Sequence, residues 1–178
     1  RVDPRGSVAR TISAEPDHYR ALGGNATFAY GARAAQGRLE FDVGVTDKTY
    51  TNNRTVTELF DVTSFDAGGR FLYRVSPRAR LLAEVRGTHF DYRSALSRLD
   101  NNEMRYLGGV TWDIAAATTG TVKVGWMTKS FSNPTLKNYS GANVDATLRW
   151  SPRSYSAIDL LARRSAIDSA GTGIFTVD

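Results

Sequence analysis

The fold of this chain is decided by the stretch Leu39-Glu40-Phe41-Asp42-Val43-Gly44-Val45, in which apolar residues alternate with charged residues or glycine. Successive side chains of a β-strand point to opposite faces of the sheet, so the stretch predicts a strand with one apolar and one polar face. The same alternation recurs in eight consecutive segments between residues 19 and 164. In all eight, one of the two sets of alternate positions carries no charge. The chain is therefore predicted to be all-β.

The other set of alternate positions carries twelve charges, five basic and seven acidic. They are Glu40, Asp42, Asp66, Arg70, Glu84, Arg86, Arg105, Asp113, Lys123, Asp145, Arg149 and Asp159. Two kinds of fold present one uncharged and one charged face over eight strands. In a transmembrane barrel the uncharged face contacts lipid and the charged residues line the lumen. In the alternative, a soluble lipocalin-like barrel, the uncharged face turns inward around a small ligand.

The length of the segments favours the transmembrane barrel. They run about 9–13 residues, whereas strands of soluble proteins most often have about 5–6. Twelve residues at roughly 3.3 Å each, tilted by about 40°, reach a height near 30 Å. Because that height spans an apolar band of about 25 Å and both interfaces, the predicted fold is an up-and-down antiparallel transmembrane β-barrel.

Aromatic residues stand at both ends of the predicted strands. One group belongs to the uncharged set and enters the short connections: Tyr30, Tyr73, Trp112 and Trp150. A second group lies beside the long connections: Tyr50, Tyr92 and Phe131. Outer-membrane barrels carry aromatic rings at both membrane–water interfaces, so these residues predict two interfacial belts.

The connections between strands alternate between short and long. Short connections are predicted at 33–36, 75–78, 115–119 and 151–153, and long ones at 50–60, 92–102, 131–140 and 164–173. In outer-membrane barrels the short turns face the periplasm and the long loops face outward. Residues 1–17 predict a polar loop or arm, and residues 18–178 predict four hairpins followed by a segment at 173–177 that could begin a ninth strand.

Composition argues against several classes of function. The net charge is +5, but its basic excess lies in turns and loops, which predicts no nucleic-acid partner. The chain has no cysteine and two histidines, His18 and His89, at no ligand spacing. With no nucleophile elbow either, the prediction is a protein that is not an enzyme and binds no metal and no cofactor.

Three stretches of the chain resemble a known family: residues 108–114 (Gly-Gly-Val-Thr-Trp-Asp-Ile), residues 118–126 and residues 148–156. They are similar to outer-membrane β-barrel porins associated with exopolysaccharide and capsule gene clusters of Gram-negative bacteria, over roughly residues 60–175. The resemblance implies an outer-membrane location and a pore for polar solutes or exopolysaccharide. The partners it implies are outer-membrane lipid, polysaccharide and periplasmic export components.

The sequence leaves open how many strands complete the barrel. Residues 1–5 lack the apolar core of a signal peptide, and the last residue, Asp178, is not the aromatic residue on which outer-membrane barrels commonly end. We therefore expect this chain to be part of a larger barrel. The alternative is a closed eight-stranded barrel, whose interior is filled by side chains and which would serve as a structural anchor without conductance.

Overall fold

The structure, a computed structural model, describes residues 16–114, 118–153, 155–164, 166–168 and 175–177. Eight long strands dominate it: β1 (Tyr19–Tyr30), β2 (Gly37–Tyr50), β3 (Val62–Ser76), β4 (Ala79–Tyr92), β5 (Asn101–Ile114), β6 (Thr118–Phe131), β7 (Tyr139–Arg153) and β8 (Ser156–Arg164). A four-residue helix, α1 (Arg54–Thr57), and a 3-10 turn (Glu58–Phe60) lie between β2 and β3. The part of the chain that the structure describes contains no helix long and apolar enough to cross a membrane.

Each of the eight strands pairs antiparallel with the next strand along the chain, in the order β1 to β8. The predicted all-β, up-and-down antiparallel architecture is confirmed. Among the described residues, β1 and β8 each have only one neighbouring strand in this sheet. Two short strands, β9 (Ala166–Asp168) and β10 (Phe175–Val177), pair with each other in a separate sheet. The described residues of the predicted ninth strand therefore pair with β9.

The strands extend further than the alternation in the sequence suggests. β3 and β7 have 15 residues each, β5 begins at Asn101 and β6 begins at Thr118. The predicted connections at 92–102 and 115–119 are therefore too long, because backbone pairing continues past the apolar stretch into polar residues. Residues 1–15 of the predicted arm, and 115–117 in one predicted turn, lie outside the described residues.

The connections at one end of the strands differ in length and content from those at the other end, as expected if the two ends of a barrel face different compartments. Pro77 and Arg78 alone join β3 to β4. At the opposite end, the connection between β2 and β3 contains α1 and closes on Asp61. The carboxylate of Asp61 accepts hydrogen bonds from the Tyr50 backbone N–H and from Arg54, both at 2.7 Å. This buried carboxylate fixes the ends of the loop to each other.

The two faces of the sheet are unlike in burial. On the uncharged face the large apolar side chains are exposed; Val43 is 56% and Val124 is 54% accessible. On the charged face Glu84 and Lys129 are buried, together with Leu82 and Met127. The lipocalin-like alternative needs apolar side chains inside and charges outside. The structure instead buries side chains on the charged face and exposes those on the uncharged face, which disfavours that alternative.

Candidate functional site

The charged face carries a row of alternating charges across β2, β3 and β4. Arg70 lies directly opposite Glu40 on one side and Glu84 on the other. Its Nε atom is 3.6 Å from a carboxylate oxygen of each. Opposite charges at directly paired positions stabilise neighbouring strands. Strand register therefore places acidic, basic and acidic side chains side by side across these three strands.

In the next row, an ion pair crosses the middle strand at a glycine. Nη1 of Arg86, on β4, is 2.7 Å from Asp42 on β2 and 3.1 Å from Asp66 on β3. Gly68 lies between Asp42 and Arg86 in the register. A Cβ atom at Gly68 would lie 3.1 Å from Asp42 Oδ1 and 3.2 Å from Arg86 Cζ. The missing side chain thus leaves room for an ion pair that spans three strands.

Lys123, on β6, extends these contacts toward the other edge of the sheet. Its Nζ atom is 3.6 Å from Glu84 on β4 and 3.4 Å from Asp145 on β7. The strand between β4 and β6 again presents a glycine, Gly109, directly opposite Lys123. Arg86 Nε, 3.8 Å from Glu84, joins the two rows. We give the name central ion-pair band to eight residues: Glu40, Asp42, Asp66, Arg70, Glu84, Arg86, Lys123 and Asp145.

A second charged cluster lies nearer the long loops and is deeply buried. Lys129 Nζ is 3.7 Å from Glu103, and these side chains are 2% and 3% exposed. Arg105 pairs with the other oxygen of Glu103. Sequence reasoning missed Glu103 and Lys129 because it placed the strand segments at 104–114 and 122–126. Continuing the alternation three residues beyond each segment identifies both.

The remaining predicted charges lie on the same face at its margins. Arg149 and Asp159 are 3.9 Å apart and mostly exposed, between β7 and β8. Asp113 is exposed near the end of β5, where the short turns lie. The structure thus brings eight of the twelve residues into one band and places the other four around it. That this face lines a lumen stays a prediction at this point.

The aromatic residues divide between the two faces. Tyr30, Tyr73 and Trp150 are exposed on the uncharged face and Trp112 is half-buried, all near the short turns. The second predicted belt is wrong. Its members occupy alternate positions of the charged face and are buried there: Tyr50, Tyr92 and Phe131.

Hydrogen bonding and ring contacts explain this burial. Lys48 Nζ donates a 2.7 Å hydrogen bond to the hydroxyl of Tyr50 and lies 4.4 Å from the centre of its ring. Lys129 Nζ similarly lies 6.0 Å from the ring centre of Phe131. A cation over an aromatic face is attracted by its π-electrons. These rings therefore accompany lysines on the charged face.

No group of three or more His, Asp or Glu side chains able to hold a metal ion occurs among the residues that the structure describes. His89 is engaged elsewhere, with Nδ1 2.8 Å from Asn102 Oδ1. The chemistry that the charged face offers is therefore that of paired, partly hydrated charges of both signs. Such a surface can interact with water, ions and polar solutes.

Comparison with known proteins yields one match. The model of a protein family described as "Putative beta-barrel porin 2" matches residues 1–177. This match extends well beyond the 60–175 region that carries the resemblance in the sequence. It concerns a family of porins rather than of enzymes. No curated protein and no solved structure matches the chain.

Proposed function

The chain belongs to the family described as Putative beta-barrel porin 2, and we propose that it forms part of the wall of an outer-membrane pore for polar solutes. One observation carries the proposal. The face with exposed Val43, Val124 and Leu160 is uncharged along its central part, whereas the opposite face holds the central ion-pair band. In an outer-membrane barrel, lipid covers the first kind of face and the second kind surrounds the lumen.

The energetics favour this orientation. Apolar side chains on the uncharged face would cost free energy in water, at roughly 25 cal/mol per Å² of exposed apolar surface. Placing the charged face against hydrocarbon would instead remove ion pairs from water, at several kcal/mol per ion. Lipid on one side and water on the other relieve both penalties. The outer membrane is therefore the environment that fits both faces.

Closure of the barrel is part of the proposal. An open strand edge in hydrocarbon leaves backbone N–H and C=O groups without partners, each at a cost of several kcal/mol. In the described residues β1 and β8 each pair on one side only. We infer that further strands pair with these two edges in a barrel larger than eight strands. A wider barrel leaves room for water beside the central ion-pair band.

The proposed solute and partners rest on the resemblance of residues 108–114, 118–126 and 148–156 to porins associated with exopolysaccharide gene clusters. The proposed solute is a polar glycan crossing the outer membrane of a Gram-negative bacterium. Outer-membrane lipid surrounds the barrel, and periplasmic export components are the proposed protein partners. A lumen with charges of both signs suits a hydrated, hydrogen-bonding chain.

The experiment compares two tryptophan variants in planar bilayers. Thr121 and Val122 are neighbours in β6 and both are half-buried, but Thr121 lies on the charged face and Val122 on the uncharged face. We expect the complete wild-type barrel, with every strand that closes it, to conduct and to pass neutral sugars into liposomes. T121W should lower the single-channel conductance because its indole ring projects into the lumen. V122W should leave the conductance unchanged because its indole ring contacts lipid.

Two results would contradict the proposal. A correctly folded wild-type protein with neither conductance nor sugar flux would identify a structural anchor. An equal decrease in T121W and V122W would show that neither face is specific to the lumen. Inhibition of the conductance by polysaccharide fragments, added to one side at a time, tests the glycan assignment separately.

A further inference from the structure

An open cavity of about 360 Å³ lies at the short-turn end of the charged face. Its lining includes four arginines, Arg33, Arg38, Arg78 and Arg80, but only two carboxylates, Glu40 and Asp113. We call these four arginines the rim cluster. Basic side chains thus outnumber acidic ones here, whereas in the central ion-pair band five carboxylates outnumber three basic side chains.

The guanidinium groups of the rim cluster have few carboxylate partners. Arg38 Nε donates to Glu40 Oε1 at 2.8 Å. Arg80 donates to the backbone carbonyl of Arg33, which brings a β4 side chain to the turn between β1 and β2. Among the described residues, no carboxylate lies within ion-pair distance of Arg33, Arg78 or Arg80.

Strand register adds a like-charge contact beside the cavity. Arg74 on β3 lies directly opposite Arg80 on β4, and like charges at directly opposite positions destabilise a strand pair. The neighbouring turn is held in place, because the Asp113 N–H donates a 2.8 Å hydrogen bond to the Arg78 carbonyl. The positive charges are therefore concentrated on a fixed backbone, and three of the four arginines have no carboxylate partner among the described residues.

We propose that the rim cluster binds the carboxylate or phosphate groups of an anionic solute at the short-turn mouth of the barrel. Guanidinium groups bind both kinds of oxyanion through paired, charge-assisted hydrogen bonds. An oxyanion in this cavity would also relieve the repulsion between Arg74 and Arg80. This proposal rests on the proposed function in one respect: it takes the anion to be part of a solute that passes through the pore. Binding of the anion to the rim cluster itself needs no conductance.

The test places a fluorescent reporter at Thr111, which lines the same cavity and lies on the charged face. T111W in a background of W112F, W126F and W150F leaves one indole in the chain, because its three native tryptophans are replaced. In detergent at low salt, quenching of the indole fluorescence by iodide reports the local concentration of anions. Quenching by neutral acrylamide reports how accessible the indole is to small molecules. R78Q combined with R80Q should lower the iodide quenching constant about threefold, because two positive charges that attract the anion to the cavity are removed. Acrylamide quenching should not change.

A matched control removes two basic charges from the opposite end. Arg98 and Lys137 lie in long loops, and both are exposed. R98Q combined with K137Q should leave iodide quenching unchanged. An equal loss in both double variants would overturn the proposal, since net charge alone would then explain it. The single variant R78Q, at an exposed turn position, repeats the test with an expected decrease of roughly 1.7-fold if the double variant does not fold.

Competition identifies the source of the oxyanion. Tetragalacturonate should protect the T111W indole from iodide, and uncharged maltotetraose should not. Protection by short-chain phosphatidylglycerol alone would overturn the proposal in favour of a lipid headgroup site. Protection by neither anion would also overturn it. Conductance without anion binding refutes only this inference, and anion binding without conductance refutes only the proposed function.

Discussion

An arginine placed at neighbouring positions of β7 should cost very different amounts of stability. Ala146 is the eighth of the 15 residues of β7 and belongs to the uncharged face; Thr147 follows it on the charged face. Taking roughly 3.3 Å per residue and a tilt of about 40°, Ala146 lies about 18 Å from either end of the strand. That depth is close to the membrane midplane.

The magnitudes follow from the environment of each position. A146R places a guanidinium in hydrocarbon near the midplane, which costs about 2–4 kcal/mol. T147R places the same group on an exposed part of the charged face. Its strand also carries Asp145 two positions away on that face, so T147R should change stability by less than about 1 kcal/mol.

The assay is reversible unfolding by guanidinium chloride in phospholipid vesicles, followed by tryptophan fluorescence. The difference between A146R and T147R should be at least about 1–3 kcal/mol, which is roughly a 5- to 150-fold ratio of unfolding constants. Both substitutions replace a small side chain by the same large one, so size alone predicts equal losses. Equal losses would refute the assignment of the two faces to lipid and water.

Two further predictions concern the buried charges and the loops. E103Q removes the carboxylate that pairs with buried Lys129 and should lower the free energy of unfolding by about 3 kcal/mol in the same assay. D159N, in an exposed pair, should lower it by less than about 1 kcal/mol. Equal losses would contradict the role of burial. Protease added to intact cells should cut within 93–100 or 132–138 and spare 77–78, because long loops face outward; cleavage confined to the short turn would invert the topology.

The strand order could be predicted from the sequence because of one physical regularity. Side chains alternate between faces with a period of two, so a charge-free set of alternate positions identifies each strand and its uncharged face. Exposed Val43 and Val124 both follow this rule. Consecutive strands can pair when the connections between them are short or of moderate length. These connections are recognisable in the sequence as polar stretches.

The ends of the strands could not be predicted in the same way. Backbone hydrogen bonds hold β5 from Asn101 although its first residues are polar. The apolar pattern marks only the central part of a strand, whereas backbone pairing continues beyond it. The buried Glu103–Lys129 pair was missed for this reason. Tyr50, Tyr92 and Phe131 were misplaced because strand-end position was considered without the alternation that assigns each residue to a face.

The partners within the central ion-pair band also required the structure. Alternation places Asp42, Gly68 and Arg86 on one face, but only the register shows that they share one row. The contact between Asp42 and Arg86 crosses a complete strand. The two side chains can meet there because Gly68, at the crossing point, has no side chain. Sequence spacing alone contains no information about that alignment.

Water access to the charged face is the most direct test of the central claim. The chain contains no cysteine, so single cysteines at Thr147 and Leu148 report on opposite faces of β7. A charged, membrane-impermeant thiol reagent should label T147C and reduce the conductance of its pores. It should leave L148C in lipid vesicles unlabelled and its conductance unchanged. Labelling of L148C with protection of T147C would contradict the account, because the charged face would then not be the wall of a water-filled pore.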